Sequence, residues 1–130
     1  SLLYNFFAHM KKELKKENVK SIYVERAIDY IFENYNKNIT IADISNYLNI
    51  DRTYLYRLFK KECGISPQKY LLNFRLRVAV NKLECTQLSI MEIAELCGFN
   101  DVSSFCHQFK KAYNDTPLNY RKYPRPDLSI

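Results

Sequence analysis

The chain has 130 residues, enough for one compact domain or two very small ones. Apolar residues make up 47% and only two glycines interrupt them, so a core can be buried, while the formal charge of +6 favours an anionic partner. No apolar run approaches the ~18 residues of a membrane span, no stretch resembles a signal peptide, and the expected setting is the cytoplasm.

Taken in chain order, Leu2 to Lys20 is an amphipathic start, one heptad of apolar residues followed by mixed Lys and Glu, a thin case for a membrane-surface helix. Val24 to Tyr35 places Val24, Ala27, Ile28, Ile31, Phe32 and Tyr35 on one stripe at helical spacing. Asn36 to Asn38 ends that helix. Thr40 caps the next, with Asp43 at its third position and Ile41, Ile44, Ser45 and Leu48 on its inner face. After Asn49, Ile50 and Asp51 a new helix runs from about Arg52 to Cys63, with Leu55, Leu58 and Phe59 inward. Its outer face is Arg52, Thr53, Tyr56, Arg57 and Lys60.

Gly64 sits where a helix end favours a left-handed residue, Ser66 caps, and Pro67 opens a long helix to about Leu83. Tyr70, Leu71, Phe74, Val78 and Leu83 are its apolar positions. Then the pattern repeats. Ser89 caps a short helix Ile90–Leu96, a Cys97-Gly98-Phe99 turn follows, and a helix runs from about Val102 to Tyr113. Asn114 stands for Gly64, and Thr116-Pro117 for Ser66-Pro67. The stretch FKKECGISPQKY, Phe59 to Tyr70, returns as FKKAYNDTPLNY, Phe109 to Tyr120. No segment alternates with period two for long enough to suggest a sheet. The fold is expected to be all-α, with short connections and an internal repeat of about fifty residues.

A two-turn helix, a tight turn and a second helix with a polar, basic outer face is the helix-turn-helix pattern. An apolar residue following the turn should be buried, here Ile50 and Phe99. The second helix needs an outer face free of bulky aliphatics to enter a major groove about 12 Å wide. Arg57 can fork to guanine O6 and N7, with Arg52, Thr53 and Tyr56 beside it as further base contacts. Lys60 and Lys61, one turn on, lie where phosphates are in reach, as do Lys110 and Lys111 in the second copy. The same basic face could be plain solvated surface. Two copies with capping, turn and exit signals in register argue against coincidence.

In the second copy the turn is one residue longer, and the outer face is Val102, Ser103, Cys106, His107 and Lys110, with Ser104 near its edge. His107 stands in the place of Arg57, and a histidine of ordinary pKa is mostly uncharged at neutral pH. Charge follows the same division. Arg52 to Lys82 holds eight basic residues against Glu62, net +7, whereas Glu84 to Asp115 is net −3. Cys63, Cys85, Cys97 and Cys106 form no CxxC pair, so zinc spacing is absent and no metal or other cofactor is expected. They read as reduced thiols, most of them core filler.

These residues resemble the DNA-binding domain of the AraC/XylS family of bacterial transcription regulators. The resemblance covers about Ser21 to Tyr123 and rests on IADISNYLNIDRTYLYRLFKKECGISPQKYL and on IMEIAELCGFNDVSSFCHQFKKAYNDTPLNYRK. It implies about seven helices in two helix-turn-helix subdomains, 21–66 and 85–130 with its tail, joined by a central linker helix, 67–84, after the remnant of an interdomain linker helix, 1–20. Their recognition helices would enter successive major grooves on one face of the duplex. Base-reading candidates carried over are Thr53, Tyr56 and Arg57 in the first unit and Ser103, Ser104 and His107 in the second. The eighteen residues from Pro67 to Glu84 make a helix of about 27 Å, compatible with half-sites ~34 Å apart.

The resemblance further implies double-stranded promoter or operator DNA of about 20 bp as partner. RNA polymerase contact and a sensing or dimerising domain elsewhere in a longer regulator also follow from it, with a bacterial, nucleoid-associated location. Enzymatic function is not expected: neither His9 nor His107 pairs with a nucleophile, and no glycine-rich phosphate loop exists. A helix-turn-helix module that binds protein instead of DNA is the competing reading. The deep, narrow groove of A-form RNA excludes a recognition helix.

Overall fold

The computed structural model describes residues 21–125. The expected linker helix over Leu2 to Lys20 and the last five positions of the tail lie outside them. Among the described residues the secondary structure is seven helices and no strand, so the all-α expectation holds. They are α1 (Ile22–Asn34), α2 (Ile41–Leu48), α3 (Arg52–Cys63), α4 (Pro67–Cys85), α5 (Ile90–Leu96), α6 (Val102–Tyr113) and α7 (Pro117–Lys122). No helix among the described residues is long and apolar enough to cross a membrane.

The helix limits follow from local chemistry. Thr40 and Asp43 form a reciprocal capping box on α2, and Ser89 and Glu92 form the same box on α5. Asp51 and Asp101 cap α3 and α6, accepting from Thr53 N and Ser104 N. Gly64 (φ 76°) and Asn114 (φ 58°) end α3 and α6 in the left-handed region. Ser66 accepts from Lys69 N, and Thr116 from Asn119 N, just before the prolines that open α4 and α7.

The chain divides into two compact units, parted within α4 between Leu71 and Leu72. The first holds α1, α2, α3 and the start of α4. Its buried residues are Val24, Ala27, Ile28 and Ile31 from α1, Ile44 and Leu48 from α2, and Leu55 and Phe59 from α3. Tyr70 closes that core edge-on against Phe59, centroids 5.6 Å apart at 69°. Leu58, expected inward, is only half-buried.

The second unit holds the rest of α4 with α5, α6 and α7, and takes in Asn36–Asn38. Its centre is aromatic: Phe105 and Phe109 are fully buried, and Phe109 meets Tyr120 at 5.5 Å and 84°. α4 runs two residues past the expected Leu83. Its buried residues occupy two faces: Tyr70, Leu71, Phe74 and Val78 on one, Leu76, Ala79 and Leu83 on the other. A search for one apolar stripe passes over Leu76 and Ala79.

The cysteine expectation needs correction. All four are free, but only Cys97 is buried; Cys63 and Cys106 are half-buried and Cys85 is exposed. Cys85 is the last residue of α4, where the helix leaves its core.

Candidate nucleic-acid interface

In each unit a short helix and a longer one are joined by a turn of one design. In the first, α2 ends at Leu48, Asn49 turns left-handed (φ 60°), and Ile50 N–H donates to the Ser45 carbonyl at 3.0 Å. In the second, Gly98 (φ 87°) is the left-handed residue and Phe99 N–H donates to the Ala94 carbonyl at 3.0 Å. Both turns carry the helix-end bond in which a residue beyond the left-handed one reaches back five positions. Counterparts lie 49 positions apart through these turns (Asn49 and Gly98) and 50 apart from the next cap onward (Asp51 and Asp101). The extra residue is therefore Asn100, inserted between the turn and the cap of α6.

Ile50 and Phe99, expected to be buried after the turn, are half-buried. Their backbone is fixed by the reach-back bond, so the side chain needs cover on one side only. Phe99 finds it on Phe105, centroids 5.0 Å apart.

The outer face of α3 is exposed, as its spacing predicts. Leu55 and Phe59 are fully buried beneath it, and Arg52, Thr53, Tyr56, Arg57, Lys60 and Lys61 are all exposed. Tyr56 keeps 45% of its surface open although it is aromatic. No acid among the described residues pairs with Arg52, Arg57, Lys60 or Lys61. The face offers four cations, a hydroxyl and a phenol. Behind α3, α1 and α2 both pack on it and on each other. Tyr23 rests edge-on against Tyr54 at 6.1 Å, and the Ser21 N–H donates to the Glu62 carboxylate.

The face of α6 is narrower. Ser103, Ser104, His107, Lys110 and Lys111 are exposed, over fully buried Phe105 and Phe109. Val102 and Cys106, also expected outward, are half-buried instead. Burial raises the Cys106 thiol pKa, leaving it in the neutral form with little thiolate character. Ser104, placed near the edge by sequence, is fully on the open face. Where α3 carries Arg52, Tyr56 and Arg57, α6 has Val102, Cys106 and His107. It therefore has fewer groups able to reach a base edge.

Sequence reasoning missed the Asp51 and Asp101 caps and the left-handed role of Asn49. Placing the two copies 49 apart through the first helix would have set Asn49 on Gly98 and exposed the turn. Among the described residues no three His, Cys, Asp or Glu side chains gather as a metal site.

This duplicated architecture defines the class: a tandem helix-turn-helix domain. A family model described as a helix-turn-helix domain matches residues 44–123. The chain is 36% identical over 127 residues to the raffinose operon transcriptional regulatory protein RafR of Pediococcus pentosaceus, covering 94% of this chain and 46% of that protein. It spans between about a third and a half of the length of the curated relatives it matches. Among solved structures it is similar to the C-terminal domain of AraT, a response regulator from Geobacillus stearothermophilus, at TM-score 0.80 and 32% identity, covering 87% of this chain and 95% of that one. It is also similar to a Chromobacterium violaceum transcriptional regulator described as containing an AraC-type DNA-binding domain, at TM-score 0.70 and 31% identity, covering 79% and 95%. The chain belongs to the AraC/XylS helix-turn-helix family.

Proposed function

We propose that this chain is the DNA-binding part of a bacterial transcription regulator, and that it binds double-stranded DNA sequence-specifically with α3 and α6. Arg52, Thr53, Tyr56 and Arg57 read base edges from α3, and Ser103, Ser104 and His107 from α6. Lys60, Lys61, Lys110 and Lys111 hold phosphates. Segments 21–66 and 85–130 each serve one block of the target, in successive major grooves, with 67–84 connecting them.

The observation that carries this reading is the twofold presentation of one device. A capped short helix, a left-handed turn and a longer helix expose a polar face over fully buried apolar side chains (Leu55 and Phe59, then Phe105 and Phe109), once as α2–α3 and once as α5–α6. A side chain serving only solubility has no need of that repeated register. The AraC-type description of a solved relative at 31% identity supports the same reading.

In this account RNA polymerase is a partner at the promoter, and a sensing or dimerising domain accompanies this one in the full-length regulator. The part described here does no catalysis and needs no cofactor. It works in the cytoplasm, at the nucleoid.

The test is a fluorescence-anisotropy titration on a labelled duplex across a salt series from about 50 to 200 mM. Each phosphate contact contributes close to one unit of slope in log affinity against log salt, so four to six contacts give a slope of roughly −4 to −5. A flat dependence would transfer the face to protein binding.

A further inference from the structure

α7 (Pro117–Lys122) has six residues, too few to hold a helical geometry in water unaided. Its place is set by what it touches, and two arginines do much of that. Arg121 Nε donates to the Leu83 carbonyl at 3.1 Å, and its Nη2 reaches the Thr86 carbonyl at 3.4 Å. Those oxygens lie at the C-terminal end of α4, where carbonyls lack a partner within the helix and the dipole is negative. The Lys82 carbonyl there is already taken by the Thr86 backbone N–H and hydroxyl, at 3.1 and 2.6 Å. Arg121 serves the next oxygens along.

Arg125 closes the other helix. Its Nη2 donates at 2.6 Å to the carbonyl of Tyr113, the last residue of α6. It also lies 5.7 Å from the Tyr120 ring centroid and 3.4 Å from Asp115. Between the two arginines sits Tyr120, buried against Phe109 of α6 at 5.5 Å. The C-terminal ends of α4 and α6 are thus tied through α7. At the equivalent place in the first unit, Leu71, the repeat counterpart of Arg121, is apolar and buried, and the helix there continues as α4.

We propose that Arg121 and Arg125 are positioning residues for base reading by α6. They touch no base; they fix the angle at which Ser103, Ser104 and His107 are presented. Recognition of this kind tolerates only about 0.5 Å of misplacement. α6, with short side chains and fewer cations than α3, has little reach with which to compensate. The inference rests on the proposed DNA binding.

The experiment compares affinity ratios in the full chain. A selected duplex is titrated beside two versions, each with one block scrambled; the α6 block is the one whose contribution disappears in His107→Ala. For Arg121→Leu the penalty for scrambling the α6 block should shrink at least about fivefold, while the penalty at the other block stays unchanged. Arg121→Lys, which keeps the charge without the fork, should fall between. A role in stability alone lowers the active fraction, weakening all duplexes equally and leaving both ratios intact. If circular dichroism shows that Arg121→Leu is unfolded, Arg125→Ala supplies the comparison, since that side chain is 43% exposed. An unchanged α6-block ratio in the folded variant overturns the proposal. A wild-type chain with a penalty at the other block but none at α6 also overturns it. A wild-type chain indifferent to both blocks fails the DNA reading itself.

Discussion

Arg57 and Lys61 sit one turn apart on the exposed face of α3, and the proposed DNA binding gives them different work. A guanidinium forks onto guanine O6 and N7, whereas an ammonium is a point charge suited to phosphate. Arg57→Ala should therefore relax specificity at one base pair and cost about 1–3 kcal/mol on the matched site. Lys61→Ala should weaken all duplexes alike and flatten the salt slope by about one unit. Equal loss on matched and random DNA for Arg57→Ala would make it a phosphate contact. The converse substitution is informative in the second unit: His107→Arg restores a fork at the equivalent place and should raise affinity for the α6 block. Cys97 makes a different prediction. Burial pushes its thiol up from an ordinary 9.0 to about 12, partly opposed by Lys82 and Arg75. A pKa raised by folding means the native state holds the proton more tightly. That contribution to stability is complete below pH 9 and is lost as pH rises toward 12. Urea melts from neutral to alkaline pH should show the decline, with a shallower slope in Cys97→Ala. Iodoacetamide at mildly alkaline pH should modify exposed Cys85 and spare Cys97.

At the scale of elements, the capping boxes fix where the short helices begin. α2 and α5 have eight and seven residues, so neither is stable from propensity alone. Removing one hydroxyl, as in Ser89→Ala, should cost about 1 kcal/mol in a denaturant titration. These limits were legible in the sequence because their causes are local. Thr40 with Asp43, Gly64, Ser66-Pro67, Ser89, Asn114 and Thr116-Pro117 each signal within four residues of the boundary they set. What was not legible depends on what lies across space. Val102 and Cys106 occupy outward positions on a helical wheel but are half-covered, and Leu76 and Ala79 belong to a second buried face of α4. The arginine tie from α7 joins residues 38 and 12 positions apart, beyond any local pattern. Of the two candidate faces, the exposure of α3 was legible in full and that of α6 only in part.

Across the whole molecule α3 and α6 share a plan but not a charge. The exposed cations are Arg52, Arg57, Lys60 and Lys61 on α3, and Lys110 and Lys111 on α6. Counterion release scales with the phosphates neutralised, so the first unit should supply most of the affinity and the second should add discrimination. On the matched site, Arg57→Ala should therefore cost more than His107→Ala. Parallel titrations with both variants measure the difference.

The central claim is that both units read sequence. Selecting random duplexes of about 25 bp on the wild-type chain tests it most directly, since that length holds two half-sites one helical turn apart. The account predicts two recurrent blocks about ten base pairs apart, with affinity for the winning duplex falling steeply as salt rises. A single recurrent block would contradict tandem reading, and no enrichment with a flat salt response would contradict DNA recognition altogether.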